Sequence, residues 1–285
     1  MTARDIAAAA LPAEALDSHC HLDIMKAPVD QVIADAHAAG IRRMVTIGTD
    51  LPSSRWAADC AAAHPCVYAA VAIHPNETSA AVAGGQDGAP ALSASTVLAE
   101  IEALAARPDV RAIGETGLDY YRDSAPPPVQ QEWFREHIAI AKRSGKALVI
   151  HDREAHEDVL RILAQEGPPE RVVFHCFSGD ERMARQCAEA GYVMSFAGNL
   201  TFASAQPLRD AAAAAPADLL LVETDAPFLT PVPHRGKPSA PWMAAHTLRK
   251  LAEIKAMDTA ELCGLIAQTA QHVFGWACSA GRDSS

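Results

Sequence analysis

The chain has 285 residues, 49% of them hydrophobic, with 35 Asp and Glu against 24 Lys and Arg for a net charge of -11. This composition supplies a large apolar core and excludes a disordered or fibrous protein. It also excludes a protein that coats nucleic acid through general positive charge, while leaving local recognition and carboxylate-held cations open.

The opening stretch MTARDIAAAALPAEAL holds only a short alanine-based apolar run broken by Pro12 and Glu14, too weak for a signal sequence. No apolar run approaches the roughly 20 residues needed to cross a membrane. The 7 cysteines form no C-x-x-C pair and lie mostly in apolar segments, as Cys176 does in VVFHCF. That usage fits reduced thiols and a cytoplasmic location. Residues 1–15 read as an N-terminal extension, 16–276 as one folded domain and 277–285 as a mobile tail.

The first β-rich run, LDSHC (16–20), leads into VDQVIADAHAAG, whose apolar spacing predicts a helix closed by Gly40. IRRMVTIG (41–48) is followed by the helical SSRWAADCAAAH. VYAAVAIH (67–74) leads past GGQDG (84–88), read as a flexible surface insertion, to the helix STVLAEIEALAAR. VRAIGE (110–115), KALVIH (146–151) and RVVFHC (171–176) each precede an amphipathic helix, with Gly145, Gly167 and Gly191 as the caps. YVMSFAG (192–198) and DLLLVET (218–224) complete the strands, and WMAAHTLRKLAEIKAM and ELCGLIAQTAQHVFGW read as terminal helices outside the sheet. Strands alternating with helices imply parallel β-α units, because a parallel crossover needs a helix-length connection. Eight such strands predict a single-domain α/β fold, a TIM (β/α)8 barrel. Periodicity leaves a doubly wound open sheet as the alternative.

Potential metal ligands recur at the C-terminal ends of these strands. His19 and His21 follow the first, His74 the third, Glu115 the fourth, His151 the fifth, His175 the sixth and Asp225 the eighth. In a barrel those ends share one mouth, where active sites sit. Side chains at i and i+2 of a strand share a face, so His19 and His21 can grip one ion while Cys20 points away. Asp17 and Asp23 flank the pair. The set has enough ligands for two divalent ions, and a bridging carboxylate would hold them about 3.5 to 4 Å apart. Imidazole with carboxylate suits Zn, Mn or Fe better than Mg, and the choice of ion stays open.

Other residues carry paired readings. His74 either contacts substrate or is hydrogen-bonded in the loop before Pro75. Arg153, Arg235 and Lys237 either bind phosphate oxygens or are solvated loop residues. Glu223 either orients a ligand histidine or pairs with an arginine, and Asn199 reads as a loop cap. His37, His64 and His137 fall in predicted helices as surface or packing residues. Trp133 and Phe134 have the spacing of barrel packing, whereas Tyr120 and Tyr121 either stack on a base or cover their loop.

In this order, DSHCHLD, AIHPNE, IGETGLDYYRD, VIHDREAHEDVL, FHCFSGD, SFAGNLTF, VETDAPFLTP and PHRGKPSAP resemble the motifs of the TatD family of metal-dependent deoxyribonucleases, within the amidohydrolase superfamily. The resemblance implies a TIM barrel, a divalent-metal centre and hydrolysis of DNA, often from the 3′ end. It implies that His19, His21 and Asp225 hold one ion and that Glu115 bridges to a second held by His151 and His175. A metal-activated hydroxide would then attack phosphorus, with Asp225 either accepting the water's proton or serving as a ligand only. The expected substrate is DNA, at single-stranded ends, with 3′-5′ polarity implied by the resemblance alone. No membrane and no obligate protein partner is expected. Ala72, Asp152, Ser239 and Ala240 depart from the family pattern without removing a ligand, which puts substrate contacts in question. Two further functions fit the same ligands: hydrolysis of a small ester, amide or lactone, and metal binding without catalysis.

Overall fold

A computed structural model describes residues 2–83, 91–122 and 124–276. Its eight strands are β1 (Ala15–Cys20), β2 (Ile41–Ile47), β3 (Val67–Val71), β4 (Val110–Asp119), β5 (Ala147–Arg153), β6 (Val172–Phe174), β7 (Val193–Phe196) and β8 (Leu220–Val222). Each pairs in parallel with the next along the chain, in the order β1 to β8. The ring is brought together between β1 and the segment after β8. There Cys20 bridges Ala226, the His21 amide donates to the Ala226 carbonyl at 2.8 Å, and the Asp225 amide donates to the His19 carbonyl at 2.9 Å. The fold is thus the TIM barrel, and the open doubly wound sheet is set aside. Three ligand candidates carry the very hydrogen bonds that join the first strand to the last.

Ten α-helices accompany the strands: α1 (Ala3–Ala8), α2 (Val29–Ala38), α3 (Leu51–Ala63), α4 (Ala94–Ala105), α5 (Pro127–Ser144), α6 (His156–Glu166), α7 (Glu181–Glu189), α8 (Gln206–Ala214), α9 (Ala244–Lys255) and α10 (Thr259–Phe274). Eight of them match the predicted helices. Gly40, Gly145, Gly167 and Gly191 all take positive φ after the helices they were expected to close. The additional helices are α1 and α8; both are alanine-rich, and alanine is the strongest helix former. Around α1, Ile6 and Ala9 are buried with Ala39, Trp242, Met243 and Ala245 in a small cluster separate from the main core.

Most strand residues are buried, as covered parallel sheets require, with Val, Ile, Leu and Ala prominent and exposed Arg42 of β2 as an exception. Ala57, Ala58 and Ala61 of α3 and Ala141 of α5 are small enough to let helix and sheet approach closely. Trp133 and Phe134 are buried in this core, as their spacing predicts. GGQDG and 277–285 lie outside the described residues. Among the described residues no helix is long and apolar enough to cross a membrane.

One strand departs from its predicted bounds in a way that matters. β4 continues through Asp119, so Glu115 lies inside it and not at its end. Pairing with β5 slips between Ile113 and Thr116, where three residue steps of β4 face two of β5, from Leu148 to Ile150. This bulge re-aims Glu115. It also needs glycine: a Cβ on Gly114 would lie 2.6 Å from the Val149 Cβ, and one on Gly117, at φ +141°, would overlap the His151 carbonyl oxygen.

Candidate metal centre

Seven side chains from six strands or their C-terminal extensions meet at one mouth: His19, His21, His74, Glu115, His151, His175 and Asp225. Glu115 stands in the middle with its two oxygens facing different neighbours. Oε2 lies 3.2 Å from His19 Nε2 and 3.9 Å from His21 Nε2. Oε1 lies 2.7 Å from His151 Nδ1, 3.1 Å from His175 Nε2 and 3.2 Å from His74 Nε2. Asp225 Oδ1 completes the first side, 3.4 Å from His21 and 3.8 Å from His19. Burial pushes the Glu115 carboxyl pKa up, but the surrounding His175, His74 and His151 rings outweigh it and hold the group ionised.

The outer hydrogen bonds of the imidazoles decide what each offers inward. His151 Nε2–H donates to Asp119 Oδ2 at 3.2 Å, which leaves the Nδ1 lone pair facing Glu115. His175 Nδ1–H donates to Glu223 Oε1 at 3.2 Å, so its Nε2 lone pair faces the cluster. His19 is fully buried and stacks on His175 with centroids 3.8 Å apart. Neither of its nitrogens has a hydrogen-bond partner among the described residues. Burial and the neighbouring His175 lower its imidazolium pKa, which favours the neutral ring that a metal needs. At His21, His151 and His175 burial is outweighed by the facing carboxylates, which raise the imidazolium pKa, and these imidazoles and carboxylates, with no thiolate among them, form a donor set suited to divalent cations. The residues present therefore fit the metal that the sequence implies.

His74 differs. Its Nδ1 accepts the Asn76 amide at 3.1 Å, so in the neutral ring the proton sits on Nε2 and points at Glu115. Burial lowers its pKa and keeps the ring neutral. His74 thus directs a donor at Glu115, and the loop hydrogen bond of its alternative reading is present as well.

Glu223 contacts a histidine and the Cys176 amide, at 2.9 Å, and pairs with no arginine among the described residues. Arg153 follows His151 by two residues on β5 and lies over the Tyr121 ring at 3.9 Å. Arg235 lies over Phe202 at 3.6 Å. Lys237 is exposed on the side of α1, where the Thr2 amide and hydroxyl, and more distantly Lys237 and His234, lower the Asp5 carboxyl pKa. No hydrogen bond or ion pair among the described residues ties Arg235 or Lys237 to the cluster. Tyr120 is engaged, its hydroxyl donating to Asp158 at 2.7 Å, whereas Tyr121 is exposed. Asn199 Oδ1 is buried without a partner among the described residues.

The sequence does not mark Asp119 or Asp17 as orienting residues, and the structure does. Besides His151, Asp119 accepts Asn76 Nδ2 and the amides of Tyr121 and Arg122. Its place four residues after Glu115, an even step along a strand, is the available signal. Asp17 accepts the Thr224 amide at 2.9 Å and the Thr224 hydroxyl, tying β1 to the chain beyond β8. Its burial raises the carboxyl to about 8. The family departures are accommodated locally. Asp152 pairs with His156 at 2.7 Å, the Ala72 carbonyl and amide are met by Ser54, and the Ser239 amide donates to the Pro227 carbonyl at 2.9 Å.

Comparison with known proteins agrees with this architecture. Residues 16–275 match the family described as TatD related DNase. The chain is 41% identical over 269 residues to an uncharacterized metal-dependent hydrolase, TatD, of Mycobacterium tuberculosis, covering 91% of this chain and 97% of that protein. It is 36% identical over 254 residues to the uncharacterized metal-dependent hydrolase YcfH of Escherichia coli K12, covering 87% and 90%. Among solved structures, YjjV, a TatD homolog from Escherichia coli K12, superposes with a TM-score of 0.82 at 26% identity over 92% of this chain and 98% of that one. A TatD family hydrolase from Entamoeba histolytica shares the fold, with a TM-score of 0.76 at 18% identity, covering 92% and 98%. With a family match over nearly its whole length and the ligand set intact at the barrel mouth, the chain belongs to the TatD family of metal-dependent hydrolases.

Proposed function

We propose that the chain is a two-metal phosphodiesterase that shortens DNA from single-stranded ends, as a 3′-5′ exodeoxyribonuclease. The observation that carries this reading is the Glu115 carboxylate, whose Oε2 faces His19, His21 and Asp225 while Oε1 faces His151 and His175. A carboxylate with each oxygen turned to a separate donor group is what a bridge between two ions requires. When bound, divalent ions supply Lewis acidity toward a phosphoryl oxygen and lower the pKa of a coordinated water.

The chain's own groups supply orientation and proton handling. Asp119 and Glu223 fix the His151 and His175 tautomers by accepting their outer N–H groups. His74 Nε2–H, directed at Glu115 in this structure, would serve a nonbridging phosphate oxygen by turning to it. The Asp225 carboxyl is raised by burial but drawn down further by His21, so it is ionised and can accept a proton from water. Its side chain, at 16% exposure, is more open than that of Glu115 at 5%. Arg153 stands two residues past His151 to receive a phosphate, with Arg235 and Lys237 on the loop beyond β8 as further basic groups. The family description as a DNase favours DNA over a small ester, amide or lactone. Free cysteines throughout the described residues are in keeping with a cytoplasmic protein.

End-labelled single-stranded DNA, incubated with metal-loaded protein, tests the proposal. A ladder shortening from the 3′ end, abolished by chelator and by Glu115→Gln, is the expected result. Full turnover by folded Glu115→Gln in metal-defined buffer would overturn the two-metal reading. DNA left intact while a lactone or ester is turned over would replace the substrate.

A further inference from the structure

Large apolar side chains left exposed are informative where a rigid backbone holds them out. Four of the five most exposed among the described residues, Ile24, Tyr121, Phe228 and Val232, lie in loops that follow strand C-terminal ends. Phe228 is the one beside the metal centre. Its ring centroid is 6.1 Å from that of His21, with the planes 70° apart, and the residue is 52% exposed.

The loop that presents this ring is tied to the ligands themselves. The Phe228 amide donates to the Asp225 carbonyl at 2.8 Å, and the Asp225 amide donates to the His19 carbonyl at 2.9 Å. On the other side of Phe228's neighbour, the Ser239 amide holds the Pro227 carbonyl at 2.9 Å. The backbone that carries the ring is therefore held beside a candidate ligand while about half of the residue stays open to solvent, and covering that apolar surface is favourable. The rim also holds two guanidinium groups already arranged over aromatic rings, Arg153 on Tyr121 and Arg235 on Phe202. An occupant that suits both features has a flat π-face and an anionic backbone.

We propose that Phe228 is the stacking platform for the nucleobase next to the scissile phosphate, so that base contact, and not phosphate contact alone, seats the strand end at the metal centre. This rests on the phosphodiesterase reading above. Phe228 takes no proton and forms no bond in the reaction; it selects for substrates that carry a base. Every base has a π-face, so the platform tolerates sequence while rejecting a bare sugar-phosphate end.

The experiment measures hydrolysis of single-stranded DNA with either a normal base or an abasic tetrahydrofuran unit on each side of the scissile bond. Wild-type protein should lose about 10-fold in kcat/KM on one abasic strand, the scale of one lost stacking contact. Phe228→Ala should show that loss on the normal strand, mostly in KM, and almost no further loss on the abasic one. Phe228→Tyr should stay near wild type, and Phe228→Leu, apolar but not aromatic, should resemble Phe228→Ala. Wild-type protein indifferent to base removal on both sides overturns the inference without needing any variant. Equal abasic penalties in wild type and Phe228→Ala overturn it too, while leaving the nuclease reading standing. Wild-type protein that cleaves neither strand overturns the nuclease reading and the platform with it.

Discussion

Three histidines of the centre, His74, His151 and His175, are oriented by what the outer nitrogen touches. Asp119 and Glu223 hold His151 and His175 with lone pairs inward, while the Asn76 amide turns His74 the other way and makes it a donor. Such partners tune metal affinity as strongly as a distant ligand does, because they fix both ring orientation and tautomer. Asp119→Asn and Glu223→Gln should each weaken divalent-metal binding about 10- to 100-fold with the fold retained. Competitive chelator titration measures this directly. Unchanged affinity would mean that the two carboxylates serve the loops alone. Glu223 stood open in the sequence between a histidine and an arginine partner, and distance decided it. Asp119 was hidden because GLD reads equally well as a turn.

At the scale of elements, β4 and α5 do the positioning. The β4 bulge turns Glu115 into the mouth and leaves no volume for side chains at Gly114 and Gly117. Gly117→Ala would force a methyl group against the His151 carbonyl at a left-handed φ. Strain and overpacking together should lower the unfolding free energy by about 3 kcal/mol or more, read by urea denaturation. From α5, buried His137 donates Nδ1–H to the Trp133 carbonyl at 2.7 Å and accepts the Ile73 amide on Nε2 at 3.1 Å. This anchors the residue before His74. Burial holds the His137 imidazolium pKa down at about 4, against 6.5 for the free side chain. The unfolded chain therefore binds more protons at this site between pH 6.5 and 4, and the folded state loses stability as pH falls through that window. The loss from His137 amounts to about 3 kcal/mol by pH 4. His137→Gln, which keeps an acceptor but cannot titrate, should flatten the fall by that amount in denaturation curves taken from pH 7 to 4. His246, also lowered to about 4 by burial, keeps its own share of the slope.

Across the whole molecule, the acidic balance and the metal centre belong together. Ligands drawn from both ends of the chain, His19 and His21 near residue 20 and Asp225 beyond β8, meet where the barrel is joined. A metal that prefers the folded state should stabilise it by up to about 2.7 kcal/mol at roughly a hundredfold excess over its Kd. Chelator-stripped protein should accordingly melt at a lower temperature than protein reloaded with Zn or Mn, by differential scanning calorimetry. Identical melting curves would separate the cluster from metal binding.

By itself the sequence determined the β-α rhythm, the positions of the ligand candidates and the family, because apolar period, strand-end placement and ordered motifs are local and survive in one dimension. The alanine-rich helices α1 and α8 escaped it. Periodicity is the same in an open sheet, so beside the resemblance it was the tertiary structure that showed the barrel, in the bonds from β1 to the chain after β8. It likewise decided which way each imidazole faces and that Phe228 stands open beside His21. Those properties depend on partners far apart in sequence, which the chain order does not record.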